Sequence, residues 1–349
     1  MNRSHEAEAR ALWKQCFGDS DAYLDLFFSK LGGDDTTFLY NAGGKAVGHL
    51  QLLDVAFASR AHLYPANYVF AACTHPDYRG RGVMKELLHE ALRKGRERGD
   101  ICSFIIPAEE WLYDYYARVA GYAEIIGGSR TQDERVALDE ENLECTTPTL
   151  IDYLCEVERT SGGTRLVHTK PFLEAVVVDF ETGHDRFVWE HRNGDGLVSG
   201  AVFVIEREDG LYVDTLFGAR EARKALLKRL KERAKDKPIT YDLNPQTSQE
   251  QYARGMIRIL DLPAFLRSLA LQYPKLCMSV AFQDDLFPEN SGVYEFIDGA
   301  VTIKPLTKDT SNVLHSMRQL FSTFSHACSL PFSCRLFPPL RLLTGIPLL

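Results

Sequence analysis

The chain has 349 residues, 45% hydrophobic and 25% charged, enough apolar material for two or three domains without disulfide staples. A formal net charge of −8 argues against a general nucleic-acid binder and suits a cationic partner. Eight cysteines and ten histidines show no metal-ligand spacing, so no metal site is expected. With no apolar N-terminal core and no 18-residue apolar run, a cytoplasmic chain without a membrane span is expected.

In chain order, Leu12, Trp13, Cys16 and Phe17 share one face of a first helix. Ser20 can cap a second, in which Leu24, Phe27, Phe28 and Leu31 recur at helical spacing. "TTFLY" and "AVGHLQLLDVAF" read as strands joined by the turn "NAGG", and "YVFAACT" as another strand. A turn with two arginines and two glycines follows, and then a helix with the buried stripe Met84, Leu87, Leu88, Ala91 and Leu92, expected to end between Gly95 and Gly99. "ICSFIIP" is a strand, "EEWLYDYYARV" a short helix and "GYAEIIGG" a last strand. The order implies an α/β unit with a mixed sheet over residues 1–144.

A second unit, 145–253, starts helical. It continues with the hairpin "RFVWEHR"–"NGDG"–"LVSGAVFVIER", the strand "GLYVDTLFG", a highly charged helix and the strand "PITYDL". It echoes the first unit without its arginine/glycine turn. A third unit, 254–349, opens with "GMIRILDLPAFLRSLA", alternates through "KLCMSVAFQDDLFPENSGVYEFIDGAVTIKP", and ends in the apolar, Pro-interrupted "LPFSCRLFPPLRLLTGIPLL".

A strand running through a Gly-rich turn into a helix directs backbone N–H groups and the positive end of the helix dipole at one spot, where an anion is favoured. Gly80 and Gly82 permit close backbone approach, and Arg79 and Arg81 add charge. A pyrophosphate fits. The dinucleotide pattern GxGxxG fails at Lys85, and GxxxxGK[ST] has no match.

Arg79-Gly80-Arg81-Gly82-Val83-Met84 resembles the R/Q-x-x-G-x-G/A signature of the GNAT N-acetyltransferase superfamily, with Met84 in place of a small residue. That bulky residue, the lead-in "ACTHPDYRGRG", the helix "LYDYYARVAGY", and the segments "GMIRILDLPAFL" and "SVAFQDDLFPENSGVYEF" resemble the enhanced-intracellular-survival (Eis) branch. The resemblance implies two GNAT-like mixed-sheet domains, the second degenerate, followed by a sterol-carrier-like α+β domain. It also implies acetyl-CoA as co-substrate, with its pyrophosphate held by Arg79, Gly80, Arg81, Gly82, Val83 and Met84. Ala72, Cys73 and Thr74 would line the thioester arm. Tyr116 would be the general acid, with Tyr115 the alternative register, because one extra residue separates this segment from Gly121. The C-terminal carboxylate of Leu349 would be the base. Glu109 and Glu110 are alternatives acting through water, or solvated carboxylates at a helix start. Cys73 reads as a buried strand cysteine, with a nucleophile as the other reading.

The expected activity is acetyl transfer by direct attack of a primary amine, on a small molecule or peptide, on the thioester. A non-catalytic acyl-CoA sensor or lipid carrier on the same scaffold is the alternative. No nucleic-acid partner is expected, and a homo-oligomer is left open.

Overall fold

The computed structural model describes residues 3–59, 62–138, 143–161, 165–243 and 251–307, with 314, 315 and 319. Helix α1 (Arg3–Phe17) ends at Gly18, whose φ of 75° lets its N–H reach the Lys14 carbonyl at 2.9 Å. Ser20 caps α2 (Asp21–Lys30) by accepting from Tyr23 N at 3.2 Å. The buried indole of Trp13 joins the two helices. Its Nε1 donates to the buried Asp19 carboxylate at 2.7 Å, and its ring packs on Phe27 and Phe70 with centroids 4.7 and 5.7 Å away.

Strands β1 (Thr37–Ala42), β2 (Lys45–Ser59) and β3 (His62–Thr74) form an antiparallel meander. Helix α3 (Val83–Glu97) crosses over to β4 (Cys102–Ile105), which lies parallel to β3. Helix α4 (Glu110–Ala120), β5 (Ala123–Thr131) and the short α5 (Glu134–Leu138) complete the first stretch. The second contains α6 (Leu150–Thr160), β6 (Arg165–His168), α7 (Lys170–Thr182), β7 (Arg186–Arg192), β8 (Val198–Arg207), β9 (Gly210–Gly218), α8 (Arg220–Ala234) and β10 (Ile239–Leu243). Then come β11 (Gln251–Ile259), α9 (Leu262–Gln272), β12 (Met278–Phe282), β13 (Gly292–Ile297), β14 (Ala300–Lys304) and β15 (Leu314–His315).

The strands merge into one mixed sheet in the order β1-β2-β3-β4-β11-β5-β10-β9-β8-β7, with β6 pairing β2. The boundary expected between residues 253 and 254 therefore falls inside a strand. Far from opening a separate unit, β11 is wedged between β4 and β5, with Met256 opposite both Ile105 and Glu124. Helices α1, α2, α6, α7 and α9 contribute to one large apolar cluster, whereas α3 and α4 pack in a second and α5 and α8 in a third.

Strands β12–β15 form a separate four-stranded sheet. It joins the main body through Val280, Phe282, Tyr294 and Phe296, which lie in the large apolar cluster, and through a buried ion pair. On β11, Arg258 Nη2 donates to both oxygens of Asp284 at 2.5 and 2.6 Å, with both side chains buried. Asp284 also accepts from Phe287 N and Asn290 Nδ2 at 3.0 and 2.9 Å. The backbone and amide donors meet the remaining acceptor capacity of Asp284, whereas Arg258 Nε is buried with no hydrogen-bond partner among the described residues.

Helix α3 ends at Glu97, within the window expected from the sequence, so Gly95 lies in its last turn. Gly95 is needed there because a Cβ would stand 2.5 Å from Asn67 Nδ2 and 3.0 Å from Asp100 Oδ2. Asn67 is fully buried and its amide is held by Asp100 at 2.7 Å, so it has little room to yield. Gly95→Ala gains up to about 1 kcal/mol of helix propensity, but overpacking typically costs 1–3 kcal/mol. A net loss of stability in urea titration is expected; a rise would show that Asn67 moves freely.

Candidate active site

The site forms where β3 leaves β4. The two pair in parallel from Ala66↔Cys102 to Val69↔Ile105, and β3 then continues to Thr74 without β4 beside it. On its other edge β3 stays paired to β2, with a register shift between His49↔Cys73 and Gln51↔Phe70. Ala71 and Ala72 together oppose Leu50, which is a β-bulge. Ala71 takes a φ of +49°, a left-handed conformation uncommon for a residue with a Cβ.

Across the gap, α4 presents Tyr115 and Tyr116, with ring centroids 5.4 Å apart. Tyr116 is 5% exposed and Tyr115 half-buried. Burial, then the neighbouring Tyr115, Tyr122 and Cys73, push the Tyr116 phenol well above its ordinary pKa. A phenol raised in this way stays protonated near neutrality. Burial raises Tyr115 as well, with Arg118 opposing.

Cys73 is buried and packs toward α1, where its thiol hydrogen-bonds Cys16. Burial pushes the Cys73 thiol up. A thiol held protonated this way is a poor nucleophile. Ala72 and Met84 pack at the edge of the cluster containing Tyr116. Thr74 is half-buried, and its carbonyl accepts from Arg79 Nε at 3.3 Å and from Cys16 Sγ at 3.8 Å.

A short 3-10 turn, Pro76–Tyr78, leads into the arginine/glycine loop. The Arg81 guanidinium lies over the Tyr78 ring, 5.1 Å from its centroid. Gly80 and Gly82 have φ of +72° and +82°, and a Cβ on either would meet nothing within 4 Å. Gly82 is the N-cap of α3 and provides no side-chain cap, so the first-turn N–H groups face the same open space. Val83 is buried rather than in the loop's open face; it fills the place of a Cβ on Gly48, 2.6 Å from its Cγ1, and so seats the start of α3 on β2.

The second unit offers an instructive contrast. There β9 also runs on past its partner β10, pairing only as far as Val213↔Tyr241, and leads into α8. Yet a Cβ on Gly218 would stand 2.9 Å from Ser199 O and 3.0 Å from Gly200 Cα. That glycine serves close backbone packing, and the loop before α8 has no open cradle.

Ala72 and Met84 thus pack against the cluster that holds Tyr116, and Arg79 reaches back to the Thr74 carbonyl. Glu109 and Glu110 stand at the start of α4, Glu109 as its N-cap and held by Trp111 Nε1 at 2.7 Å. Leu349 and the Pro-interrupted tail lie outside the described residues. The sequence reading passed over Ala71, because nothing in an alanine announces a left-handed backbone, and over His49 and Gln51, two fully buried polar residues on an otherwise apolar strand. Among the described residues no group of three or more His, Cys, Asp or Glu side chains is placed to hold a metal. No helix among them is long and apolar enough to cross a membrane.

Residues 1–123 match the family model described as an acetyltransferase (GNAT) domain. No curated protein matches the chain. Among solved structures it is similar to a probable N-acyltransferase from Enterococcus faecalis, at 14% identity and a TM-score of 0.64, covering 88% of this chain and 84% of the other. A GCN5-related N-acetyltransferase from Anabaena variabilis matches at 17% identity and a TM-score of 0.64, with the same coverage. Eis1 from Mycobacterium abscessus matches at 15% identity and 0.63, again over 88% and 84%. At these identities the structures establish the fold along most of the chain. The likeness to GNAT acetyltransferases over residues 1–123 supports acyltransferase activity.

Proposed function

We propose that this acyltransferase moves an acetyl group from acetyl-CoA to a primary amine on a small molecule or peptide by direct attack. The observation that carries the reading is the open, uncapped start of α3 at Gly80 and Gly82, directly after a strand that has left its neighbour. The backbone of residues 79–84 would hold the pyrophosphate, with Arg79 and Arg81 adding charge. Residues 72–74 would line the thioester arm, and a backbone N–H there would stabilise charge on the carbonyl oxygen. Tyr116 would donate a hydrogen bond to the departing sulfur. Bound acetyl-CoA supplies an activated acyl group, and the protein's task is to orient it and exclude water. The Leu349 carboxylate is proposed to take the amine's proton, and residues 254–349 to form the sterol-carrier-like domain; both rest on the resemblance of the sequence.

The test is thermal stability with acetyl-CoA, followed by free thiol release over a panel of primary amines. A ligand selective for the folded state raises Tm, so stabilisation and thiol release on at least one amine are expected. Stabilisation with no turnover on any amine would favour the sensor instead. No stabilisation at all would overturn the binding assignment.

A further inference from the structure

Beneath the β3 bulge runs a line of buried polar groups that acyl transfer as described does not use. Thr37, His49 and Gln51 are 4%, 0% and 0% exposed. Thr37 Oγ1 donates to Gln51 Oε1 at 3.1 Å, Gln51 Nε2 contacts His49 Nε2 at 2.9 Å, and His49 Nδ1 contacts the Ala71 carbonyl oxygen at 3.1 Å. With a neutral His49 ring, only one proton arrangement satisfies all three contacts. The Gln51 amide oxygen is taken by Thr37, so its nitrogen must donate to His49 Nε2. That nitrogen is then the acceptor, and the ring's proton sits on Nδ1, aimed at Ala71 O. Burial lowers the His49 pKa to about 4, so the ring is neutral near pH 7.

The carbonyl so held belongs to the one residue of the described strands' interior alanines with a positive φ, at the point where two β3 residues oppose one of β2. A left-handed conformation is unfavourable for alanine and persists only where its surroundings over-determine it. Fixing the Ala71 carbonyl fixes the plane of the peptide it shares with Ala72, and hence the direction of the Ala72 N–H. This is where β3 has no β4 partner.

We propose that Thr37, Gln51 and His49 are positioning residues, a one-way hydrogen-bond relay that sets the peptide plane after Ala71 and so aims backbone N–H groups of the bulge at the reacting carbonyl. The proposal rests on the acyltransferase reading above, and its effect is on turnover rather than on co-substrate binding, because the loop 79–84 lies elsewhere.

Two measurements decide it. In the unaltered full chain labelled with 15N-histidine, the His49 ring, assigned by its loss in His49→Phe, is expected to be neutral with the proton on Nδ1 at pH 7. An Nε2-protonated ring would overturn the relay, and His49→Asn supplies the same assignment should His49→Phe fail to fold. In steady-state kinetics, His49→Phe keeps an aromatic ring beside Trp13 but removes the donor. Its kcat is expected to fall about tenfold or more, a misaimed donor costing somewhat less than a deleted one, while KM for acetyl-CoA and the CoA-induced Tm shift stay within twofold. His49→Asn, whose amide nitrogen can take the place of Nδ1, should recover most of the lost kcat. An unchanged kcat in His49→Phe, or parallel loss of turnover and CoA binding, would overturn the positioning role. Failure of the unaltered protein to release thiol on any amine would instead remove the acyltransferase reading, and the relay's role with it.

Discussion

Gly82→Val is expected to abolish CoA-induced stabilisation while leaving a folded protein. Gly82 has φ +82° and is the N-cap of α3. A β-branched residue is a genuine outlier there, so a folding cost of about 1–2 kcal/mol should appear in the absence of ligand. The new side chain would meet no protein atom within 4 Å at its Cβ, and it would enter the space in front of the first-turn N–H groups of α3. An anion bound by those groups needs close approach. Loss of one or two such hydrogen bonds to a charged ligand, at roughly 1.5–3 kcal/mol each, amounts to a weakening of about tenfold to ten-thousandfold. Gly218→Ala is the matched control: its Cβ would meet Ser199 O at 2.9 Å, so it should lower Tm and leave CoA affinity alone. The pair is read by calorimetric titration with CoA. An unchanged affinity in Gly82→Val would remove the loop from the binding site.

Tyr116→Phe should lower kcat about a hundredfold, the low end of what a positioned proton donor contributes, with CoA affinity kept within twofold. The ring sits in an apolar cluster with Leu50, Val69 and Tyr122, so phenylalanine retains the packing. Only the hydroxyl disappears, which assigns the loss to the transition state. Because burial raises the phenol's pKa, its protonation does not change across the neutral range. The surviving rate of the variant should therefore keep the parent's pH profile near neutrality. If Tyr115→Phe carries the larger loss, the register of α4 against the cleft differs from the one chosen. If neither variant slows thiol release, the donor role fails.

The arginine/glycine turn was legible in the sequence because its function is local. Gly80, Gly82 and the start of α3 lie within a few residues of one another, and an uncapped helix start preceded by glycines makes an anion cradle wherever it is placed. The stripe of α3, the Ser20 cap and the hairpins were legible for the same reason: periodicity and capping act over one or two turns. The degenerate character of the second unit was likewise visible in its missing turn, although only the 2.9 Å approach of Ser199 O shows that Gly218 serves packing.

Other features depended on residues far apart in the chain. Strand β11 competes for the gap between β4 and β5 from some 150 residues downstream, as in Ile257↔Phe104. No alternation pattern reveals which strands will flank a given strand, because a strand buried on both edges shows the same side-chain period whatever its neighbours. The end of α3 near Gly95 was legible, but only Asn67 and Asp100 beside that residue show why it must be glycine. Ala71 carries no sign of its left-handed backbone, and the relay that holds it joins Thr37, Gln51 and His49 from two strands to a carbonyl on a third. The local sequence determined what kind of ligand the loop can hold. The tertiary structure decided which backbone groups face the cleft, because the aim of a peptide plane is set by hydrogen bonds and packing from elements that the sequence places far away.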